Sequence, residues 1–338
     1  MTKVLIGALV TACTVSGVFA AWSAPEAAAV PTLIPEQATV GYGPEQTSFV
    51  SAFAYNVANP HVAPVGANDW SCTPSAEHPR PVVLVHGTWV NEYNSFARLS
   101  PELARQGYCV FAAVYGDEED SLIGRLPVIR GSGDPVAGAK EVARFVDAVL
   151  EHTGSKQVDM VGYSLGGPVT RQYLRFEGGA DRDDPAKNKV KTVVTLGGTN
   201  HGTTLDGIGA LGAQINAIGL DVLGLTQVVI GPAGIDQVVG SDFVRNLNAE
   251  GDTDPGIDYT VIGTRFDEVT TPPQSTFLGT GRGATVRNIW LQDGCTSDFA
   301  DHLSMMYDPR ALHYVSAALD PTAYANRVPP CGFQPPAF

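Results

Sequence analysis

Gly162–Tyr163–Ser164–Leu165–Gly166 places a serine between two glycines. An apolar run, Val158–Val161, precedes it, and a stretch of helical pattern, Val169–Phe176, follows. A strand that turns sharply into a helix lifts the residue at the turn above the sheet edge and exposes its side chain. Only small neighbours fit beside it. Gly167 and Pro168 suit the first turn of a helix packed close to a sheet. A serine hydroxyl is a poor nucleophile at neutral pH. It needs a base to take its proton and a third group to orient that base.

When a serine sits on such a turn, the acid and then the histidine follow it along the chain. The histidines beyond Ser164 are His201, His302 and His313. His201, in Gly198–Thr199–Asn200–His201–Gly202, comes too early to follow an acid from a later strand. His313 falls inside the last helical pattern. His302 follows an apolar strand through a loop and is the candidate base. Asp267 lies just past the strand Tyr259–Ile262 and is the candidate acid, with Glu268 as the alternative. Asp301 adjoins His302, but neighbouring side chains point apart. A developing oxyanion needs backbone N–H donors. One comes from the residue after the nucleophile, Leu165, and one from the loop after an early strand, Thr88 in His86–Gly87–Thr88–Trp89. The Thr88 hydroxyl is a possible third donor.

These residues need a sheet to carry them. Strands are expected at Pro81–Val85, Tyr108–Val114, Val158–Val161, Lys191–Leu196, Tyr259–Ile262 and Thr285–Leu291. Helices are expected at Phe96–Gln106, around Val142–Leu150 with Gly154 closing, at Val169–Phe176, and at Pro309–Leu319 with Asp308 as cap. The alternation predicts an α/β fold, a mostly parallel sheet with helices on both faces. Thr192–Val244 contains no lysine or arginine, and Leu205–Val239 is rich in Gly, Leu, Ile and Ala. It reads either as a core helix pair or as an apolar cap over a lipid-binding cleft. Its glycines, including Gly207, Gly209, Gly212, Gly219 and Gly224, would allow movement.

A formal net charge of −14 over 338 residues argues against nucleic-acid partners and anionic membranes. Residues 1–29 read as an export signal: Lys3, an uncharged run Val4–Trp22, and a small-residue cleavage site at Ala27–Ala28–Ala29 or Val18–Phe19–Ala20. The alternatives are a retained anchor or lipidation at Cys13. Residues 30–69, rich in Pro, Ala and Gly, are expected to be an extended arm, and 70–338 the catalytic domain. Signal removal leaves Cys72, Cys109, Cys295 and Cys331. In an exported chain these read as two disulfides with three pairings open. Cys72–Cys109 with Cys295–Cys331 closes local segments. The absence of any CxxC or Cys/His cluster disfavours a metal site.

PVVLVHGT, GYSLGG, TLGGTNHGT, RFDEVTTP and DHLSMMYDP together resemble the secreted actinobacterial class 2 lipases, over Pro81 to Cys331. The resemblance implies an α/β-hydrolase fold, a triad of Ser164, Asp267 and His302, the two local disulfides, and hydrolysis of acylglycerol esters without a cofactor. That family's acid loop more often reads YDEVV. Phe266 and Thr270 differ here, which bears on the acyl pocket rather than the triad. The expected substrate is a lipid or small ester, met at a lipid–water interface. Two rival readings are a polyester or short-chain ester hydrolase with the same triad, and a non-catalytic binding protein that kept the fold. Acyl-chain preference and oligomeric state are not legible in the sequence.

Overall fold

Short β-branched runs such as VVLV are suited to strands buried on both faces, and the sheet is made of them. A computed structural model describes Leu33 and residues 35–217 and 227–337. Its strands are β1 (Val82–Val85), β2 (Val110–Ala113), β3 (Val158–Tyr163), β4 (Val190–Leu196), β5 (Asp258–Gly263) and β6 (Thr285–Trp290). They form one sheet in the order β2-β1-β3-β4-β5-β6, and every pairing is parallel. β1 to β3 are wholly buried, while the edge strand β6 exposes Arg287 and Asn288. Polar residues on an edge discourage pairing with another chain.

The helices are α1 (Pro35–Ala38), α2 (Phe49–Ala58), α3 (Glu92–Phe96), α4 (Leu99–Arg105), α5 (Pro135–Thr153), α6 (Gly166–Phe176), α7 (Leu205–Ala217), α8 (Gln227–Asp236), α9 (Asp242–Asn248), α10 (Pro309–Leu319) and α11 (Pro321–Tyr324). Alternate strand residues point to opposite faces. Val83, Val85, Met160 and Val193 pack with α5 and α6, whereas Val82, Leu84, Val161 and Val194 pack with α2, α4 and α10. Helices therefore cover both faces, as expected.

The chain lays β2 on one side of β1 and then returns to place β3 on the other. The connections leave β1 and β3 in opposite directions, so a topological switch point lies beyond their carboxyl ends. Open parallel sheets bind ligands at such a switch point.

Three expectations need correction. The segment 30–69 is not simply an extended arm, because it carries α2. Ser48 caps that helix, its Oγ accepting from the Ser51 N–H at 3.2 Å. Phe49, Ala52 and Phe53 fall on one helical face and enter the main core. The helix expected at Phe96–Gln106 is α4, which begins only at Leu99, and a separate short helix, α3, precedes it over Glu92–Phe96. Pro101 has no N–H to donate to the Ala97 carbonyl, and that carbonyl accepts instead from the Gln46 N–H at 3.3 Å. The strand expected at Tyr108–Val114 is confined to Val110–Ala113. The last helix, its Asp308 cap and the Gly154 stop agree with the sequence reading, Gly154 adopting φ 66°.

The 205–239 stretch forms α7 and α8 between β4 and β5. Ile208, Leu211, Ile215 and Ile230 join the main core. The signal segment, Gly219 and Gly224 lie outside the described residues. No helix among the described residues is long and apolar enough to cross a membrane. Disulfides join Cys72 to Cys109 and Cys295 to Cys331.

Candidate active site

Ser164 follows the last residue of β3, and its φ of 52° is left-handed. A non-glycine residue is strained there and persists only when its surroundings hold it. The Ser164 N–H donates to the Leu196 carbonyl of β4 at 2.9 Å, and its carbonyl accepts from the Gly167 N–H at 3.0 Å. The flanking glycines are required by space. A Cβ on Gly162 would sit 2.5 Å from the Gly166 carbonyl oxygen, and one on Gly166 would sit 2.1 Å from that of Val85.

His302 lies in the loop between β6 and α10 and is fully buried. Its Nε2 is 3.0 Å from Ser164 Oγ, and its Nδ1 is 3.0 Å from Asp267 Oδ2. The backbone N–H groups of Val269 and Thr270 donate to Asp267 Oδ1 at 3.0 and 2.6 Å, which fixes the carboxylate. Tyr163 donates from its hydroxyl to the His302 carbonyl at 3.1 Å. Burial works against a charged imidazole. The adjacent Asp267 carboxylate outweighs it, by charge and by hydrogen bond, with Glu268 and Asp301 adding to the effect. His302 is therefore held above the ordinary histidine value.

The alternatives are engaged elsewhere. The Gln214 amide donates to Glu268, not the imidazole. Asp301 accepts from the N–H groups of Ser304 and Ala337, each at 2.7 Å. His201 lies between Asp252 Oδ1 and the Ser275 carbonyl oxygen, 3.0 Å from each. The hydrogen bond to Asp252 raises its pKa against burial. Buried Arg171 holds the same loop by donating to the Asn200 carbonyl at 2.9 Å. His313 rests among the rings of Tyr314 and Tyr324.

The turn after β1 passes directly against the serine, since a Cβ on Gly87 would lie 2.9 Å from Ser164 Cβ. His86 shapes that turn. It stacks on Tyr115 with ring centroids 4.4 Å apart, and burial pushes its pKa down to about 3, so it is neutral. Thr88 and Leu165 follow the two turns. Among the described residues, neither backbone N–H donates to a protein acceptor. Both N–H groups thus belong to turns that pass beside Ser164.

The sequence reading missed Tyr163, Thr199, Trp89 and Gln237 in this region. Trp89 has φ 57° and donates its indole N–H to the Ile230 carbonyl of α8 at 2.9 Å. Gln237, one residue past α8, is buried against Thr88. Their types are ordinary. The runs GYSLGG, HGTW and TLGGTNHGT contain Tyr163, Trp89 and Thr199, but nothing in the sequence marked Gln237.

A family model described as Lipase (class 2) matches residues 79–311. Among solved structures, lipase B of Aspergillus fumigatus is similar at 18% identity and a TM-score of 0.54. The match covers 76% of this chain and 58% of that one. This chain therefore spans little more than half the length of that lipase. An esterase from a Rhodococcus species matches at 19% identity and a TM-score of 0.43, over 73% of this chain and 92% of its own. The likeness to the Aspergillus lipase is one of fold, the α/β-hydrolase fold.

Proposed function

The chain belongs to the class 2 lipase family, and from that premise we propose that it is a serine carboxylic-ester hydrolase acting on acylglycerols. The observation that carries the reading is the hydrogen-bonded line from Asp267 through His302 to Ser164, with 3.0 Å at each step. Ser164 Oγ bonds to the ester carbonyl carbon while its proton passes to His302 Nε2. The carbonyl electron pair moves onto oxygen. Thr88 and Leu165 stabilise that oxyanion through their N–H groups. Collapse of the tetrahedral adduct expels the alcohol, which takes the proton from His302. Water then repeats the sequence on the acyl-enzyme. Asp267 holds the imidazole in the required tautomer and stabilises its charged form throughout.

The acyl chain lies beside α7 and α8, next to the core that Ile208, Leu211, Ile215 and Ile230 enter. Each buried methylene there contributes about 0.8 kcal/mol. The substrate is met at a lipid–water interface, and the enzyme acts outside the cell. The export reading of residues 1–29 and the two disulfides support that location. Residues 70–338 form the catalytic domain, and α2 packs into its core.

The test has two parts. A fluorophosphonate should label the wild type and not Ser164→Ala, whereas a non-catalytic relative would not be labelled at all. A series of p-nitrophenyl esters of rising chain length, with an emulsified triacylglycerol, then separates a lipase from a short-chain esterase. Hydrolysis confined to the shortest esters would overturn the acylglycerol assignment.

A further inference from the structure

Gln237 is a buried amide whose hydrogen bonds fix its orientation. Its Nε2 donates to the Ala233 carbonyl at 3.0 Å and to Thr88 Oγ1 at 2.8 Å. Its Oε1 accepts from the Thr199 hydroxyl at 3.2 Å. Turning the amide over would set oxygen against the Ala233 carbonyl oxygen, two acceptors with no proton between them. The nitrogen must therefore face Thr88, and Thr88 Oγ1 must accept. A hydroxyl that accepts still carries its own proton. Among the described residues, no protein acceptor takes the proton of Thr88.

Gln237 is itself anchored. Its carbonyl accepts from the Thr203 N–H at 2.8 Å, and Thr199 donates its N–H to the Ser164 carbonyl at 3.4 Å. One side chain thus links the end of α8, the turn after β1 and the loop after β4.

We infer that Gln237 is a positioning residue that holds the Thr88 hydroxyl as a third oxyanion donor, beside the N–H groups of Thr88 and Leu165. By keeping its nitrogen on Thr88 Oγ1, it occupies a lone pair and leaves the threonine proton to be donated to the ester oxygen. The role exists only if Ser164 carries out acyl transfer, so the inference rests on the function proposed above. Gln237 does not touch the reacting atoms and acts through Thr88.

A double-mutant cycle on a soluble p-nitrophenyl ester tests this. Thr88→Val should lower kcat about 10²-fold, the lower range for losing one oxyanion donor, and Thr88→Ser should restore most of it. Gln237→Met should lower kcat about tenfold with KM unchanged, because the lost interaction is made in the transition state. In the Thr88→Val background Gln237→Met should do nothing more. An equal loss in both backgrounds would mark a packing effect and overturn the inference, as would full activity of Gln237→Met. Should Gln237→Met not fold, equal kcat for Thr88→Val and Thr88→Ser would overturn it. A wild type that neither turns over the ester nor takes a fluorophosphonate would instead sink the hydrolase reading, before the cycle begins.

Discussion

Strand β3 and helix α8 both meet the turn after β1 and are held differently. β3 is buried along all six residues, paired on both sides, and ends on Ser164 with helix α6 immediately behind. α8 carries a non-helical Gly231 (φ 74°) and a proline inside it. It meets the turn after β1 through the Trp89 indole and, just past its end, through Gln237. It meets the 131–132 turn through the Ala233 N–H, which donates to the Ser132 carbonyl at 3.0 Å. The serine turn is fixed by a ladder and a packed core, whereas α8 adds single hydrogen bonds to the few side chains it lends to the core. On this contrast, changes on the sheet side should abolish chemistry or unfold the protein, and changes on the helix side should alter what is bound.

The largest expected effect is on the sheet side. Ser164→Ala should retain the fold and lose ester turnover by on the order of 10⁴-fold or more. Retention of a tenth of the wild-type rate would refute the assignment.

Asp267→Asn should lower kcat by roughly 10² to 10⁴, with Glu268→Gln affecting it far less. Equal losses would move the acid to Glu268. The pH profile sharpens the point. His302 must be neutral to accept the serine proton, and Asp267 holds its pKa above the ordinary value. The acid limb of kcat/KM in the wild type should thus lie above that value, and Asp267→Asn should move it down. An unmoved limb would mean that another group sets it.

Replacing Cys295 and Cys331 by serine opens a loop with a sequence separation of 36 that contains His302. The chain-entropy relation puts the loss of stability at about 4 kcal/mol. Denaturant unfolding of the double variant checks this. An unchanged midpoint would show that the tail is held by other contacts.

The smallest effect compares two isoleucines. Ile262→Ala in β5 should cost about 2–5 kcal/mol of stability and treat all esters alike. Ile230→Ala in α8 should slow long-chain esters several-fold more than short ones. Both side chains lie in the core and both variants should lose stability. If Ile230→Ala lowered all rates together with no chain-length preference, α8 would have no part in acyl binding, and the contrast between the two regions would collapse.

The parts most legible in the sequence are those where local chemistry leaves few options. The serine turn demands glycines on both sides, and Asp308–Pro309 starts a helix in only one way. Chain order picked His302 over His201, the strand before it picked Asp267, and adjacency to His302 set Asp301 aside. Asp267 and His302 are the residues the fold brings together with Ser164. The α2 helix was hidden by the prolines and glycines around it, although Phe49, Ala52, Phe53 and Asn56 sit at helical spacing. The late start of α4 follows from Pro101, and weighing its missing N–H would have moved the expected start past Phe96. Gln237 could not be found this way. Its partners Thr88 and Thr199 lie 149 and 38 residues away, and no local pattern links a glutamine to such distant threonines.

That separation along the chain also bears on the order of folding. Ser164 and His302 are 138 residues apart, Trp89 and Ile230 are 141, and Thr88 and Gln237 are 149. Contacts of such long range close slowly, because the loop entropy must be overcome before they stabilise anything. Helices α5, α6 and α10 need only their own neighbours and the nascent sheet. A partly folded chain can therefore carry most of its helix content and none of its reactive centre. In refolding from denaturant with the disulfides intact, far-ultraviolet ellipticity should recover before the serine regains reactivity toward a fluorophosphonate. Simultaneous recovery would mean that the reactive centre forms with the sheet rather than after it.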